Sequence, residues 1–373
     1  MDKLPKSVLI FRKRMLPYSE TFIADQGRYL SHFTPCFAGF THDPSGQSYI
    51  VDYPSIILED YAGSFNWAKL KHRLGLTASR AWLDAMQETS PALIHAHFAI
   101  DAIDAMDLSR QLDIPFLATV HGFDITHSGE SSYYRKRRDK MFQQAGKIIA
   151  VSNYIKQKLL EKGCPEEKIV QHYIGIDVEK FTVEKAESTE PSILFIGRLV
   201  EKKGCIYLMD AVEKIGERYP GLAVNIVGTG PLEKELRNKA NKLPVAVNFL
   251  GKQTPKQIKG LMSSAWVFCT PSITAQNGDA EGLGMVFLEA QSMKTPAVSF
   301  GSGGVVEAIA HGETGLLATE RDADGLAESL DFFLSSQSHR EEYGNKGRQR
   351  VLRNFNIREQ CKTLESIYQG IVG

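Results

Sequence analysis

Two glutamates, Glu281 and Glu289, stand eight residues apart in the segment Glu281-Gly-Leu-Gly-Met-Val-Phe-Leu-Glu289. If the segment is helical, a rise of 1.5 Å per residue separates the two by ~12 Å, about the span from a sugar through a diphosphate to a ribose. A helix N-terminus at residues 282–285 would offer its N–H groups and positive dipole to the diphosphate. Glu289 could then bind both ribose hydroxyls, and Glu281 could bind hydroxyls beyond the phosphates. The alternative is an acidic residue favoured by the helix dipole together with a solvated surface glutamate.

A basic loop follows the first predicted strand in the second half of the chain. It reads Ile196-Gly-Arg-Leu-Val-Glu-Lys-Lys-Gly204, and a helical pattern begins directly after it. Arg198 can donate two parallel hydrogen bonds to a phosphate, and Lys203 adds a mobile positive charge. Alone, such a loop is compatible with plain surface. Beside the two glutamates, it predicts a binding site for a nucleoside diphosphate.

Short apolar runs alternate with segments of helical period along almost the whole chain. This alternation is typical of βαβ units, and near-continuous apolar strands indicate parallel sheets covered on both faces. We therefore predict an α/β fold of two doubly wound Rossmann-like domains that face each other across a cleft, with ligands at the carboxyl ends of the strands. The predicted strands are residues 7–11, 93–97, 116–120, 147–151, 192–197, 223–227, 247–250, 267–269 and 296–300, and the predicted helices include residues 152–162, 205–219, 232–241 and 282–293.

The polar segment from Val183 to Pro191 lacks apolar periodicity, and the strand-then-loop pattern restarts directly after it. We place the domain boundary there, with one domain over residues 1–183 and a second over residues 191–357. The length of 373 residues agrees with two domains of the usual size.

The composition excludes several classes of protein. Lysine plus arginine number 44, as do aspartate plus glutamate, so the net charge is zero. This balance argues against a strongly basic nucleic-acid binder and against an acidic disordered chain. No apolar run approaches the ~18 residues of a spanning helix. The five cysteines are scattered without a CxxC, which favours reduced thiols in a cytoplasmic protein.

Five motifs together resemble the retaining GT-B glycosyltransferases of family 4, and the match covers nearly the whole chain. They are the paired glutamates Glu281 and Glu289, the Gly-Arg-Leu-x-x-x-Lys-Gly loop, Gly301-Ser-Gly-Gly-Val-Val-Glu307 with Gly312-Glu-Thr-Gly-Leu-Leu317, Val227-Gly-Thr-Gly-Pro-Leu232, and Ala150-Val-Ser-Asn-Tyr-Ile155. Ser19-Glu-Thr-Phe22 and residues 272–281 look most like bacterial exopolysaccharide enzymes of the colanic-acid type.

The resemblance implies a metal-independent hexosyltransferase that uses no cofactor and retains the anomeric configuration. It would move glucose or a related hexose from a nucleoside diphosphate sugar to a saccharide or lipid-linked saccharide acceptor in exopolysaccharide biosynthesis, with UDP-sugar preferred over GDP-sugar. Residues 1–183 would bind the acceptor, residues 191–357 the donor, and residues 358–373 would cross back onto the first domain. Two alternatives remain open: a nucleotide-sugar epimerase of GT-B-like fold, and a non-catalytic sugar-nucleotide-binding protein.

The resemblance also assigns roles to individual residues. Arg198 and Lys203 would offset the charge of the departing diphosphate, Glu281 would hold the sugar, Glu289 the ribose, and His121 would approach the sugar as the fourth catalytic residue. The donor-binding set is Gly197, Arg198, Lys203, Glu281, Gly282, Leu283, Gly284, Met285, Val286 and Glu289, and the acceptor-side set is Ser19, Glu20, Thr21, His97 and Asp124. Many relatives carry a Gly-Gly pair after the first strand, whereas this chain reads Met15-Leu-Pro-Tyr-Ser-Glu-Thr21.

Two patterns have the spacing of metal ligands. His95 and His97 lie two apart on a predicted strand and would share one face, but no third ligand is evident nearby. We predict that His95 is a hydrogen-bonded core residue and that His97 opens onto the acceptor side. Asp322-Ala-Asp324 has DxD spacing, but it precedes a helical pattern, so we predict that Asp324 is an N-cap. We predict no metal site.

Basic residues also lie beside aromatic residues in two segments. The segment from Phe65 to Leu76 interleaves aromatic residues and leucines with Lys69, Lys71 and Arg73, and the cluster from Arg135 to Arg138 follows two tyrosines. This pattern favours a peripheral contact with an anionic membrane at its cytoplasmic face. The alternative is a solvated helix face.

Overall fold

The computed structural model describes residues 6–73, 76–182 and 189–373, without the side chain of Arg73. The chain forms two compact units. The first contains the residues up to Ile125, Gly129–Gly175 and Ile357–Gly373, and the second contains Thr126–Ser128 and Ile176–Asn356. Most of the predicted linker, residues 183–188, lies outside the described residues.

The first unit is built on a seven-stranded parallel sheet with a pair of two-residue strands beside it. Its strands are β1 (Lys6–Phe11), β2 (Arg14–Met15), β3 (Phe33–Gly39), β4 (Thr41–His42), β5 (Ser55–Ile57), β6 (Pro91–His97), β7 (Phe116–Val120), β8 (Ile148–Ala150) and β9 (Ile169–Gln171). Its helices are α1 (Thr21–Arg28), α2 (Gln47–Ile50), α3 (Leu58–Tyr61), α4 (Phe65–Arg73), α5 (Arg80–Glu88), α6 (Ala99–Leu112), α7 (Phe123–Thr126), α8 (Ser132–Gln144) and α9 (Asn153–Glu161), with 3₁₀ turns at Tyr18–Glu20 and Glu166–Lys168.

The second unit is built on a six-stranded parallel sheet. Its strands are β10 (Ser192–Ile196), β11 (Ala223–Val227), β12 (Ala246–Gly251), β13 (Val267–Cys269), β14 (Ala297–Phe300) and β15 (Gly315–Ala318). Its helices are α10 (Cys205–Ile215), α11 (Glu233–Ala240), α12 (Pro255–Ser264), α13 (Met285–Ser292), α14 (Val305–Ala308), α15 (Ala323–Leu334) and α16 (Gln337–Asn354), with 3₁₀ turns at Glu201–Lys203 and Gly216–Arg218.

The strand order reverses once in each sheet. The orders are β5-β3-β1-β6-β7-β8-β9 and β12-β11-β10-β13-β14-β15, so the winding direction reverses between β1 and β6 and between β10 and β13. At such a reversal the loops that leave the carboxyl ends of the two strands diverge and leave a crevice for ligands. The predicted α/β fold with two doubly wound parallel-sheet domains is confirmed.

The C-terminal helix α17 (Ile357–Val372) packs in the first unit. The Glu365 carboxylate accepts hydrogen bonds from the backbone N–H groups of Ser31, His32 and Phe33, at 2.7, 2.6 and 3.1 Å. The hydroxyl of Tyr368 lies 2.6 Å from Nδ1 of His95 on β6. The helix is therefore joined to the sheet next to the reversal point.

The predicted elements agree with the structure where apolar runs are continuous and differ at their ends. Strands β7, β11 and β13 have the predicted bounds, whereas β3, β5, β9 and β15 were not predicted. Strand β3 was not predicted because it contains Pro35, which has no N–H for a sheet hydrogen bond. The proline is accommodated because β5 pairs only with residues 37–39 of β3, so at Pro35 the only neighbouring strand is β1.

Candidate functional site

The loop over residues 197–204 leaves β10 at the reversal point of the second sheet. Its start is hydrogen-bonded to the loop that follows β11: Gly197 N–H donates to Val227 O and Leu199 N–H donates to Thr229 O, both at 3.0 Å. Leu232 N–H in turn donates to Leu199 O at 3.1 Å. The Val227–Leu232 motif of the sequence therefore serves to hold the basic loop in place.

Three consecutive side chains of this loop bind the segment that leaves β13. Glu201 accepts a hydrogen bond from the backbone of Gln276 at 3.1 Å. Lys202 Nζ lies 2.9 Å from Asp279 Oδ1, and Lys203 Nζ lies 2.7 Å from Glu281 Oε1. The sequence indicated Lys203 and Glu281 as site residues but predicted none of these three contacts. Together the three contacts join the two loops that flank the crevice.

The pair of Lys203 and Glu281 is nearly buried, with side-chain exposures of 15% and 10%. Burial alone would raise the pKa of Glu281, but the attraction of Lys203 and Lys202 outweighs it and lowers that pKa below its usual value. Glu281 is therefore ionised at neutral pH. A negative and a positive side chain are held together at the entrance to α13.

The glycine-rich segment between Glu281 and α13 is not helical, so the predicted helical start at residue 282 is wrong. Helix α13 begins at Met285, after Gly284 with a φ of 87°. A Cβ atom on Gly284 would lie 2.6 Å from Cδ2 of Phe287, so a larger residue fits neither the backbone nor the space. The ~12 Å estimate for a continuous helix therefore does not apply.

The other predicted donor-binding residues surround this turn. Gly282 and Leu283 are buried, while Met285, Val286 and Glu289 are partly exposed. Gly304 N–H donates to Glu281 O at 2.8 Å, which anchors the turn to the Ser302-Gly-Gly segment after β14. The first N–H groups of α13 have no acceptor within the helix. This end of α13 is consequently suited to an anion.

Arg198 differs from the lysines next to it. Its side chain is exposed, and it has no ion-pair or hydrogen-bond partner in the part of the chain that the structure describes. A guanidinium in this state can bind a phosphate without first breaking an internal contact. The loop thus combines one unpaired cation, Arg198, with two paired cations, Lys202 and Lys203.

In the first unit, three predicted residues lie at the carboxyl ends of β6 and β7. His95 lies 2.6 Å from the Tyr368 hydroxyl and 2.7 Å from Thr119 Oγ1, which confirms it as a hydrogen-bonded core residue. His97 is fully buried, so the prediction that it opens onto the acceptor side is wrong. The physical reason is that Phe22 and His121 cover its ring. His121 is partly exposed.

Two of the predicted acceptor-side carboxylates are engaged in internal contacts. Glu20 Oε2 and Oε1 accept hydrogen bonds from Nε and Nη2 of Arg12 at 2.8 and 2.9 Å. Asp124 accepts hydrogen bonds from the backbone N–H groups of Ala99, Gly122 and His121 at 2.7, 2.9 and 3.1 Å. Burial raises the pKa of Asp124, although the backbone donors oppose the shift. Asp124 therefore fixes the His121 loop to the start of α6.

Ser19 and Thr21 occupy the loop and the helix start that follow β1. Ser19 is exposed within a 3₁₀ turn, and Thr21 is the first residue of α1. Beneath them, Arg12 also pairs with the fully buried Asp101, which accepts a second hydrogen bond from Lys13 N at 2.8 Å. Sequence reasoning did not identify Arg12 or Asp101. The apolar-to-basic change from Phe11 to Arg14 was the only available signal.

The residues with metal-like spacing bind protein groups in the structure. Both ring nitrogens of His95 are engaged, and Nδ1 of His97 lies 3.1 Å from Nε2 of His121. Asp322, and not Asp324, is the N-cap of α15: its side chain accepts hydrogen bonds from the backbone N–H groups of residues 324 and 325. Asp324 lies in the first turn, where it pairs with Lys214 at 2.7 Å. Within residues 6–73, 76–182 and 189–373, no group of three or more His, Cys, Asp or Glu is arranged to hold a metal ion.

The two predicted membrane-contact segments differ in their exposure. On α4, Trp67 and Leu70 are 58% and 43% exposed, and Leu76 beyond it is 56% exposed. On α8, Arg138 is 3% exposed and pairs with Glu130, which corrects its assignment to a basic surface. Residues 74 and 75 lie outside the described residues. No helix in the described ranges is long and apolar enough to cross a bilayer.

Arg137 on α8 also has internal partners. It pairs with Asp107 and donates a hydrogen bond to the backbone oxygen of Ile103 at 3.2 Å. Of the predicted cluster, Arg135 and Lys136 are exposed. Exposed aromatic and basic side chains therefore lie both on α4 and at the start of α8, where Tyr133 is 66% exposed.

Comparison with known proteins gives family matches to both halves of the chain. Residues 37–180 match the family described as "Glycosyltransferase Family 4", and residues 177–350 match "Glycosyl transferases group 1". The chain is 30% identical over 286 residues to WcaL of Escherichia coli, which is named as a colanic acid biosynthesis glycosyltransferase, with 74% of this chain and 70% of WcaL covered.

A second sequence relative and a solved structure extend these matches. The amylovoran biosynthesis glycosyltransferase AmsK of Erwinia amylovora is 30% identical over 242 residues, covering 64% of this chain and 60% of AmsK. The structure of HepE from Anabaena, solved with UDP and glucose, superimposes with a TM-score of 0.79 at 17% identity, covering 98% of this chain and all of HepE. This similarity supports the fold.

The buried ion pair gives a pH-dependent prediction. Lys203→Met should lower the free energy of unfolding by about 3–5 kcal/mol at pH 7, because it leaves the Glu281 carboxylate buried without its main partner. In the wild type, the lowered pKa of Glu281 contributes stability above its unfolded value of about 4.3, and that contribution is lost as the pH falls through the folded-state pKa. The difference in Tm between variant and wild type, measured by calorimetry, should therefore be large at pH 7 and shrink below about pH 4.

The matched control is Lys214→Met, which removes the exposed pair with Asp324. This variant should leave the Tm nearly unchanged at either pH. A Tm difference for Lys203→Met that is as large well below pH 4 as it is at pH 7 would contradict the assignment.

Proposed function

The chain belongs to the family 4 glycosyltransferases, and from this premise we propose that it transfers a hexose from a UDP-sugar to a saccharide or lipid-linked saccharide with retention of configuration. The observation that carries the proposal is the joined pair of loops at the reversal point of the second sheet. There Lys203 and Glu281 lie 2.7 Å apart at the entrance to α13, beside the unpaired Arg198. The donor sugar, the diphosphate and the ribose each have a matching group in this arrangement.

The diphosphate is assigned to Arg198, Lys203 and the N-terminus of α13. Arg198 binds phosphate oxygens as a two-pronged donor, while Lys203 supplies a point charge that Glu281 holds in place. The helix N-terminus adds backbone N–H groups and a positive dipole. Glu289, one to two turns into α13 and partly exposed, is assigned to the ribose hydroxyls.

In the proposed reaction, the diphosphate leaves and the acceptor oxygen enters on the same face of the sugar. The bond between the anomeric carbon and the diphosphate oxygen breaks first, and its electron pair goes to the diphosphate. The acceptor oxygen then attacks from the same face, and its proton passes to the departing diphosphate. Arg198, Lys203 and the α13 N-terminus stabilise the developing negative charge, which is the largest catalytic contribution expected of such a site.

This scheme needs no carboxylate nucleophile. Glu281 is held as an ionised partner of Lys203, and Asp124 is occupied by three backbone N–H groups. Glu281 is assigned to a sugar hydroxyl, and His121 to an oxygen of the transferred sugar. We propose that the reaction needs neither a metal nor a cofactor.

The donor base and the pathway are proposed from the relatives. HepE, which shares the fold, was solved with UDP and glucose, and this supports a UDP-hexose, with glucose or a related sugar preferred over a GDP-sugar. WcaL and AmsK are named for colanic acid and amylovoran biosynthesis, which supports an exopolysaccharide as the product. In this role the enzyme would work in the cytoplasm, where nucleotide sugars are available.

We also propose a peripheral membrane contact through α4. Trp67 and Leu70 lie three residues apart and share an exposed face, whereas Ala68 and His72 face the interior. Lys69 is exposed beside them. Lys69 also lines a cavity of about 260 Å³ next to the helix, in which Lys13 and Arg14 are paired with Asp104 and Asp43. We therefore assign the contact with an anionic headgroup to Lys69. The contact would bring a lipid-linked acceptor to the enzyme.

The function is tested by assaying UDP-, GDP- and ADP-hexoses with saccharide and lipid-linked saccharide acceptors. We expect turnover with a UDP-hexose and a product with the anomeric configuration of the donor, determined by NMR. In the same assay Lys203→Ala should lower kcat by about 10²- to 10³-fold, because its charge acts on the departing diphosphate. The Kd for UDP, measured by calorimetric titration, should change far less.

Lys202→Ala is the matched control, since the adjacent lysine pairs with Asp279 instead of Glu281. Equal losses in kcat and UDP affinity for Lys203→Ala would contradict the catalytic assignment. An inverted product would exclude retention. An altered sugar released without acceptor would indicate an epimerase, and UDP-sugar binding without turnover would indicate a non-catalytic protein.

The membrane contact predicts that the protein cosediments with vesicles containing anionic lipid at low salt. Trp67→Glu and Leu70→Glu should each weaken partitioning about tenfold or more, because burial of one large apolar side chain contributes about 1.5–3 kcal/mol. Leu352→Glu, at a residue that is 40% exposed in the second unit, is the control and should sediment like the wild type. Absence of wild-type cosedimentation at low salt would exclude the contact.

A further inference from the structure

Three histidine rings form a row at the carboxyl ends of β6 and β7. The ring centroids of His95 and His97 lie 4.3 Å apart, and those of His97 and His121 lie 5.3 Å apart with an interplanar angle of 20°. Nδ1 of His97 is 3.1 Å from Nε2 of His121. His97 is fully buried and His121 is partly exposed. The row therefore links a ring in the core to a ring that reaches the surface.

Nδ1 of His97 and Nε2 of His121 share a single proton in their hydrogen bond. Burial lowers the pKa of both rings well below the usual range, with further contributions from the neighbouring His95 and from the positive charge of Arg12. Both imidazoles are consequently neutral, and each carries one N–H and one bare nitrogen. Either His97 donates from Nδ1 or His121 donates from Nε2.

The second nitrogen of His97 decides between these two arrangements. Nε2 of His97 is buried and has no hydrogen-bond partner within the described ranges. If His121 were the donor, the proton of His97 would lie on this Nε2 as a buried N–H without an acceptor. Buried N–H groups without partners are rarer in proteins than acceptors with an unused lone pair. The arrangement in which His97 donates from Nδ1 is therefore favoured.

We infer that His97 is a positioning residue that holds His121 as the neutral tautomer with its proton on Nδ1, ready to donate a hydrogen bond to an oxygen of the transferred hexose. The identity of the ligand rests on the proposed function, whereas the tautomer does not. In the described residues Nδ1 of His121 has no hydrogen-bond partner, so this nitrogen is available to a ligand.

The surroundings of His121 support a fixed ring orientation. The rings of Phe22 and Phe98 lie 5.0 and 4.4 Å from the His121 ring, between centroids. The backbone N–H of His121 donates to Asp124 at 3.1 Å, which fixes the base of the side chain. Because His97 donates a hydrogen bond to Nε2 of His121, the His121 ring is fixed and its Nδ1 points in one direction.

His95 supports His97 from its other side. Both nitrogens of His95 are engaged, by the Tyr368 hydroxyl and by Thr119 Oγ1, so its ring does not compete for Nδ1 of His97. The Nδ1–H group of His97 therefore donates to His121 alone.

The first test is the tautomer itself, read from two-bond ¹H–¹⁵N correlations of protein labelled with ¹⁵N-histidine. The His121 signals are assigned by their loss in His121→Gln. We expect the pattern of an Nδ1–H tautomer for His121 in the wild type and loss of this pattern in His97→Leu. An Nε2–H pattern for His121 in the wild type would overturn the inference.

The second test is hexose transfer by two variants at residue 97. His97→Leu fills a similar volume without a donor, and it should lower kcat by about 10- to 100-fold with a smaller change in KM for the donor. His97→Asn places a side-chain N–H near the position of Nδ1, so it should recover most of the kcat that His97→Leu loses. Wild-type kcat in His97→Leu, or equal losses in Leu and Asn variants that melt like the wild type, would overturn the positioning role.

The two tests separate this inference from the proposed function. If the wild type transfers no hexose, the proposed function fails, while the NMR pattern still decides the tautomer. If the wild type transfers hexose and the NMR pattern is that of Nε2–H, the proposed function stands and the role of His97 is refuted.

Discussion

The ion pair between Lys203 and Glu281 is the contact on which the second unit's site depends. It joins the loop after β10 to the segment after β13 at 2.7 Å, at the one place in the sheet where the winding direction reverses. Because the pair is nearly buried, neither residue can be removed without leaving a charge in a poorly solvated place. In the proposed function the same lysine also binds the diphosphate, so one side chain would both hold the loop and bind the ligand.

In the first unit, the loops at the carboxyl ends of the strands are held by different contacts. Its corresponding loops are held by buried pairs of Arg12 with Glu20 and Asp101, and by Asp124, whose carboxylate binds three backbone N–H groups. The charges of Arg12, Glu20 and Asp101 are paired with one another, and the partly exposed ring of His121 is neutral. One unit thus offers cations and a helix N-terminus, and the other offers a neutral hydrogen-bonding group.

Much of the fold followed from sequence because parallel strands buried on both faces are near-continuous apolar runs, as in β7 and β13. Strand β3 was missed because Pro35 interrupts its pattern. Strands β5, β9 and β15 were missed because they are edge strands with apolar runs of only two or three residues. In the site, Lys203 and Glu281 were predicted because charged residues next to glycines form a recognisable sequence pattern. The burial of His97 and the pairing of Lys202 with Asp279 depend on contacts between segments far apart in sequence, which local patterns do not contain.

The most direct test of the central claim, that the loop over residues 197–204 binds a diphosphate, is the change in Tm caused by UDP compared with uridine at equal concentration. A ligand that binds only the folded protein raises its Tm, by more as the ratio of ligand concentration to Kd increases. We predict that UDP, and not uridine, raises the Tm of the wild type, and that the double variant Arg198→Ala/Lys203→Ala loses this shift. An equal UDP-induced shift in the wild type and the double variant would contradict the account.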